Sequence, residues 1–289
     1  MSRTTQEFGS AHTEKKLAAV QSYLSAFTTA LKKQSFELIY IDACAGSGSS
    51  KPKEQRGQTT LLDADDVTIG SAVRALQIAT PFDRYVFNDP KLKNVKSLEA
   101  IVAEKFPHLV NRVEILRTDA NEALSRIAES TNWKRSRAVV FLDPFGLQMK
   151  YSMVERLGRT EAVDLWYLVP VLGMSRQVAK DGSILEPGGT LVDELLGTRD
   201  WRNLVVVEPE AQEGLFGLQP TAAERVANAA WFERVAKQQL EKAFKGGVLE
   251  KTLPLGRGGL HEFSLMFACA NPRSKANELA KRLASAVLK

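Results

Sequence analysis

Cysteine is nearly absent: only Cys44 and Cys269 occur in 289 residues. Neither belongs to a pair with metal-ligand or redox spacing, which argues against a disulfide framework and a cysteine-based zinc site. No cluster of His, Asp and Glu takes their place, so no metal is expected. Long apolar runs are missing too, and none approaches the ~18 residues of a membrane-spanning helix. The N-terminal MSRTTQEFGSAHTEKK has no apolar stretch of the kind a secretory signal needs, so a cytoplasmic location without membrane attachment is expected. No repeat with a period of about 20–50 residues is visible, which argues against a solenoid. Nor is charge of one sign concentrated. Lys and Arg number 39 against 34 Asp and Glu, a net +5 with no block of like charge. That balance permits a polyanionic partner, DNA or RNA, without demanding one.

What is present is the composition of a folded chain, 44% apolar and 25% charged. From Thr13, Leu17, Val20, Leu24, Phe27 and Leu31 recur at spacings of three and four. This predicts a helix capped by Thr13, after a polar, frayed stretch over 1–11. The period then changes. Short apolar runs over 36–41 (FELIYI), 84–87 (RYVF), 113–116 (VEIL), 138–142 (AVVFL) and 164–169 (DLWYLV) read as strands. Helical patterns over 71–79, 91–105, 121–129 and 151–158 separate them, with Leu92, Val95, Leu98 and Val102 inward in the second. Residues 49–69 have no period and read as an excursion. Nearly continuous apolar strands alternating with helices predict a parallel, doubly wound sheet covered on both faces.

Residues 173–245 break the alternation and read as a helical insertion with a long amphipathic helix over 222–244. Two strands, 247–253 and 262–269, joined by the glycine-rich 254–260, form a C-terminal antiparallel hairpin. A last helix over 275–287 buries Leu279, Leu283 and Val287. The predicted α/β fold is thus a doubly wound, mostly parallel sheet of seven strands with an antiparallel C-terminal hairpin and a helical insertion. Its domain spans 12–172 and 246–289, and 173–245 forms a subdomain for a substrate or partner.

Open parallel sheets bind ligands beyond the carboxyl ends of their strands. The first strand ends in Asp42-Ala43-Cys44-Ala45-Gly46-Ser47-Gly48. Small residues there allow a tight turn and close approach of the backbone to a ligand. One G-x-G behind an acid favours S-adenosylmethionine over a pyrophosphate cofactor, since its ammonium group suits Asp42. Asp89 after the second strand is placed to hold a ribose diol, and Asp119 after the third to read an adenine amino group. The alternative is that these acids only start turns, as Asp often does.

After the fourth strand comes Asp143-Pro144-Phe145-Gly146. Amino-group methyltransferases carry a D/N-P-P-aromatic segment at this place. There a carboxylate or amide oxygen accepts from the target NH2 and the ring stacks on the base. Here the second proline is missing; the competing reading is an aspartate that caps the next helix. His12, Lys15 and Arg176 are further candidates for a phosphate or an anionic substrate group, each as readily a solvated surface residue. His261 is read as structural, and Cys44 as a small packing residue.

The segments HTEKK, YIDACAGSG, IGSAVRAL, FLDPFG and HEFSLMFACANP resemble the three-Cys-motif partner proteins, over most of the chain from His12 to Pro272. The resemblance implies a Rossmann-like methyltransferase fold. It also implies a partner, a radical-SAM-like protein bearing three cysteines. Cys44 stands where the family pattern D-x-F-A-G-x-G has an aromatic residue, and residues 181–220 are less family-like.

These features together favour an S-adenosylmethionine-dependent methyltransferase of a nucleobase amino nitrogen. Asp42, Ala43, Gly46, Gly48, Asp89 and Asp119 would hold the cofactor, and Asp143, Pro144 and Phe145 the acceptor. Two alternatives remain. One is a non-catalytic partner of a radical-SAM-like protein or a nucleic acid; the other is a transferase of a non-methyl group.

Overall fold

The structure, a computed structural model, describes residues 4–50, 68–207, 212–214, 217–219 and 224–288. Seven strands form the main sheet: β1 (Glu37–Asp42), β2 (Arg84–Asn88), β3 (Val113–Leu116), β4 (Ser136–Leu142), β5 (Val163–Val169), β6 (Leu253–Leu255) and β7 (Phe263–Cys269). Their spatial order is β6-β7-β5-β4-β1-β2-β3. The first five run parallel, while β7 is antiparallel to both β5 and β6. This is the expected Rossmann-like α/β fold. The chain builds outward from β1 through β2 to β3, then returns to the other side of β1 for β4. The order therefore reverses between β1 and β4, where a crevice forms in such sheets.

The strands are apolar on both faces because helices cover both. Alternate residues of β1 serve different layers: Ile39 and Ile41 face one core, Leu38 and Tyr40 the other. The second core is covered by α1 (Thr4–Leu31), α2 (Ser71–Leu76), α3 (Leu92–Lys105) and α9 (Ser274–Val287). Aromatic rings bind α1 to the sheet, with Tyr23 5.3 Å from Trp166 and 5.1 Å from Phe267 between centroids. Each such pair adds roughly 0.5–1.5 kcal/mol beyond area burial. The first core is covered by α4 (Ala120–Ser130), α5 (Tyr151–Arg159), α6 (Val171–Ser175), α7 (Gly188–Leu196) and α8 (Ala229–Ala243). Part of the stretch 173–245 joins this layer, since Phe232, Ala236 and Leu240 of α8 pack in the same core as the strands.

Several local expectations need correction. Helix α1 begins at Thr4, so Thr13 lies within it rather than at its N-cap, and residues 4–11 are helical. Leu92 opens α3 and is 48% exposed. The long helix predicted over 222–244 begins only at Ala229, because Asn228 caps it by accepting from the Trp231 amide. Short two-stranded pairings precede it. The hairpin strand lies at Leu253–Leu255 rather than 247–253. Residues 247–249 touch β7 only through a bridge from Val248 to Ala268 and flanking backbone bonds. Helix α9 buries Ala280 and Ala284, whereas Leu279, Leu283 and Val287 stay half-buried. Of the excursion predicted over 49–69, residues 51–67 lie outside the described residues. Among the described residues no helix is long and apolar enough to cross a membrane.

Gly158 of α5 lies tight against the end of α8. A Cβ there would stand 2.1 Å from the Ala243 carbonyl oxygen at the end of α8. In an ordinary helix Gly→Ala stabilises by roughly 0.5–1 kcal/mol. Gly158→Ala should instead destabilise by about 1–3 kcal/mol, because two helix backbones must separate. Urea unfolding checks this; a stabilised variant would mean that α5 and α8 do not meet here.

Candidate functional site

Strand β1 delivers Asp42 to the carboxyl edge fully buried, level with Phe87 of β2 and Phe141 of β4. Its Oδ1 accepts from the Cys44 amide at 3.2 Å, and its Oδ2 from the Ser71 hydroxyl at 2.6 Å. Asp42 thus closes the loop on itself and anchors the start of α2, rather than offering a free carboxylate to a ligand. Burial, only partly offset by these bonds, pushes its pKa up to about 7.

The glycines follow the same logic. Gly46 and Gly48 have φ of +64° and +78°, a region that penalises other residues. A Cβ on Gly48 would meet Leu98 at 2.9 Å, so this glycine serves packing. A Cβ on Gly46 would meet nothing within 4 Å, so the space beside it is open.

The last residue of β2 is Asn88, which is buried. Its Nδ2 donates to the carbonyls of Ala43 (3.0 Å) and Thr118 (3.1 Å), and its Oδ1 accepts from the Thr118 amide. Its own carbonyl accepts from the Ala45 amide at 2.9 Å. One side chain therefore fixes the loops after β1 and β3. Asp89 follows, 8% exposed, with Oδ1 accepting from the Lys91 amide at 2.8 Å and from Asn94 Nδ2 at 3.0 Å.

Asp119 is exposed and caps α4, accepting from the Asn121 amide at 2.8 Å. The turn-forming alternative thus accounts for Asp119. Asn121 in turn donates to the Gln148 carbonyl and accepts from the Lys150 amide, tying α4 to the loop after β4.

That loop carries Asp143, half-exposed; Pro144, buried; and Phe145, 87% exposed. Gly146 turns it at φ +67°. An aromatic side chain this open at a strand end can take a stacking partner. Only Lys91 approaches it among the described cations, its Nζ 5.8 Å from the ring centroid. The Asp143 carboxylate is ion-paired with Lys16 of α1. Lys16 is buried, its Nζ 5.8 Å from the Phe141 ring centroid, whereas Lys15 faces solvent. Residues four apart share a helix face, so His12 lies on the side of Lys16. His12 Nδ1 is buried and has no hydrogen-bond partner among the described residues.

The acids converge on Cys44. Burial raises its thiol pKa first, then the charges of Asp42, Asp143 and Asp89. A thiol so placed is not a nucleophile, in keeping with a packing role. The charges of Asp42, Asp143 and Asp89 thus all reach Cys44, whereas Asp119 is not among them.

Sequence motifs passed over Asn88, Ser71 and Lys91. Only the amide-bearing strand end at Asn88-Asp89 signalled the first of them. Arg176 stands exposed at the end of α6. His261 Nε2 lies 2.6 Å from Ser264 Oγ and 2.9 Å from Glu233 Oε2. Both partners crowd one nitrogen and Ser264 is fully buried, so this is a structural clasp and not a nucleophile relay. Among the described residues no group of three metal-ligating side chains occurs.

The raised Asp42 pKa has a sign that can be tested. In the unfolded chain the group ionises near pH 4; folded, it keeps its proton up to about 7. Between these values the folded state binds the extra proton, so its contribution is present at low pH and lost as pH rises. Asp42→Asn keeps an acceptor for the Cys44 amide and has no proton to lose. Its melting temperature relative to the parent should be higher at about pH 8 than at about pH 5. Equal offsets at both would refute the assignment.

No family model and no curated protein matches the chain. Among solved structures, a Legionella pneumophila str. Philadelphia 1 protein of the family model DUF519 is similar at 13% identity. The match covers 94% of this chain and 92% of that one, with a TM-score of 0.47. A conserved hypothetical protein of Streptococcus pyogenes is similar at 18% identity, over 49% of this chain and 73% of that one, with a TM-score of 0.30. The likeness to three-Cys-motif partner proteins thus rests on the motifs themselves.

Proposed function

We propose that the carboxyl edge binds S-adenosylmethionine and that the chain is a methyltransferase of an amino nitrogen of a nucleobase in a nucleic acid or nucleotide. The observation that carries this is that Asp42, Asp89 and Asp143 end or follow the adjacent parallel strands β1, β2 and β4, where the strand order reverses. The residues fit such a group. Space is open beside Gly46, His12 Nδ1 lacks a partner among the described residues, and Asp89 stands at the end of β2 behind a rigid Asn88. Asp42, with both oxygens engaged, would act on the methionine ammonium through its charge and through the loop it shapes.

When bound, the cofactor would supply a methyl group already activated by a sulfonium. The chain's own work is orientation. Asp143 would accept a hydrogen bond from the target amino group, Phe145 would stack on the base, and buried Pro144 holds the two in register. Lys16 pairs with Asp143 before substrate arrives and must yield that oxygen.

Calorimetry with S-adenosylhomocysteine tests the cofactor. Asp89→Ala should weaken it roughly ten- to hundredfold, as expected for a lost charge-assisted hydrogen bond. Asp143→Ala should bind it nearly as the parent does, yet lose transfer by about a hundredfold or more. If both variants lose the cofactor equally, these roles are wrong; if the parent binds none, the proposal fails.

The Lys16–Asp143 pair favours a second reading, in which the acceptor position is permanently filled. The chain would then serve a radical-SAM-like protein or a nucleic acid as a partner without transferring anything. Bound S-adenosylhomocysteine with no mass added to DNA, RNA or nucleotides, in the parent and in Lys16→Met alike, would select it. An added mass other than one methylene would instead indicate transfer of a different group.

A further inference from the structure

The opposite edge of the sheet holds a cavity of about 170 Å³ between α1 and α9, lined by none of the residues described above as gathering at the carboxyl edge. Phe27 and Leu31 of α1 face Leu279 and Leu283 of α9 across it. This is why the α9 leucines are only half-buried: no side chain fills the gap between the helices. The floor is polar. Asp164, 8% exposed, accepts from the Tyr23 hydroxyl at 2.6 Å, and burial raises its pKa to about 6.

The mouth is cationic. Arg137 stacks on Phe36, with its guanidinium 3.9 Å from the ring centroid, and its Nη1 donates to the Trp133 and Ser136 carbonyls. Burial lowers its pKa, and the nearby charge of Arg273 lowers it further. Arg137 and Arg273 both line the cavity, and the Asp164 carboxylate beneath offsets their mutual repulsion only in part. Among the described residues neither has a carboxylate within ion-pair distance. The single acid of the cavity is already engaged by Tyr23.

We propose that this cavity is a second ligand site, for a small amphipathic monoanion: an aromatic or short aliphatic carboxylate. Its apolar body would lie between α1 and α9, and its carboxylate would relieve the repulsion between Arg137 and Arg273. Size sets the class, since an apolar cavity of about 150 Å³ accommodates one benzene ring. Charge sets the head group. A cation would meet two guanidinium groups, while the planar fork of arginine matches a carboxylate. An apolar pocket with a few convergent polar groups is the usual form of a small-molecule site. The site does not depend on the methyltransferase reading.

Phenylacetate is the probe, with neutral phenylacetamide as its control. Titrated into the full chain, phenylacetate should raise the melting temperature and bind about tenfold or more tightly than the amide. Saturating S-adenosylhomocysteine should leave this binding unchanged, which separates the two edges. Arg273 is exposed, so Arg273→Glu should fold normally and reverse the preference for the acid. Leu283→Trp should fill the space and abolish binding of both compounds. Absence of phenylacetate binding, equal affinity for the amide, or binding that survives both substitutions would overturn the proposal. Should Leu283→Trp fail to fold, Arg273→Glu decides alone.

Discussion

The carboxyl edge depends on the amide side chain of Asn88. Loops after parallel strands carry backbone groups that the sheet ladder cannot satisfy, and buried ones are costly if left alone. Asn88 supplies both a donor and an acceptor at the end of β2, and serves the loops after β1 and β3 at once. Aspartate at this position would lose the donor to Ala43 and Thr118. Leucine would leave three backbone groups unpaired. With these loops fixed, Asp89 follows immediately and Asp42 is free to close its own turn. The geometry of the edge is thus set by a neutral group, while the acids around it supply charge.

This division explains what was legible in the sequence. The strands showed themselves because covering both faces of a sheet demands unbroken apolar runs, as in FELIYI and DLWYLV. The G-x-G loop showed itself because positive φ demands glycine. The strand-end acids were visible as residue types, yet their roles were not. Asp119 and Asp42 look alike in sequence, but one caps α4 in solvent and the other is buried beneath its loop. Lys15 and Lys16 are neighbours in sequence; only the orientation of α1, set by Tyr23 and Phe27 against the sheet, makes the second meet Asp143. Helix limits failed where capping decided them. The periodicity over 222–244 could not reveal that Asn228 starts α8.

The leucines of α9 failed for a different reason. Their spacing promises burial, and helix α9 does lie against α1. The sheet below ends at that edge, however, and the α9 surface in closest contact is lined by the small residues Ala280 and Ala284. The larger leucines then flank a space instead of filling one. Hydrophobic periodicity reports which side of a helix turns inward; it carries no information about whether the opposing surface is complementary in volume.

The two edges of the sheet consequently differ in kind. At the carboxyl edge, acids and the Lys16 cation lie among loops whose backbone is satisfied, so an incoming group must compete with an existing ion pair. At the amino edge, two guanidinium groups stand beside unfilled apolar volume, so an incoming anion would have no ion pair of theirs to break among the described residues. Binding at the first edge trades one polar contact for another, which favours selectivity over affinity. Binding at the second gains from apolar burial and from charge relief together. Helix α1 touches both, with Lys16 at one end and Phe27 and Leu31 at the other.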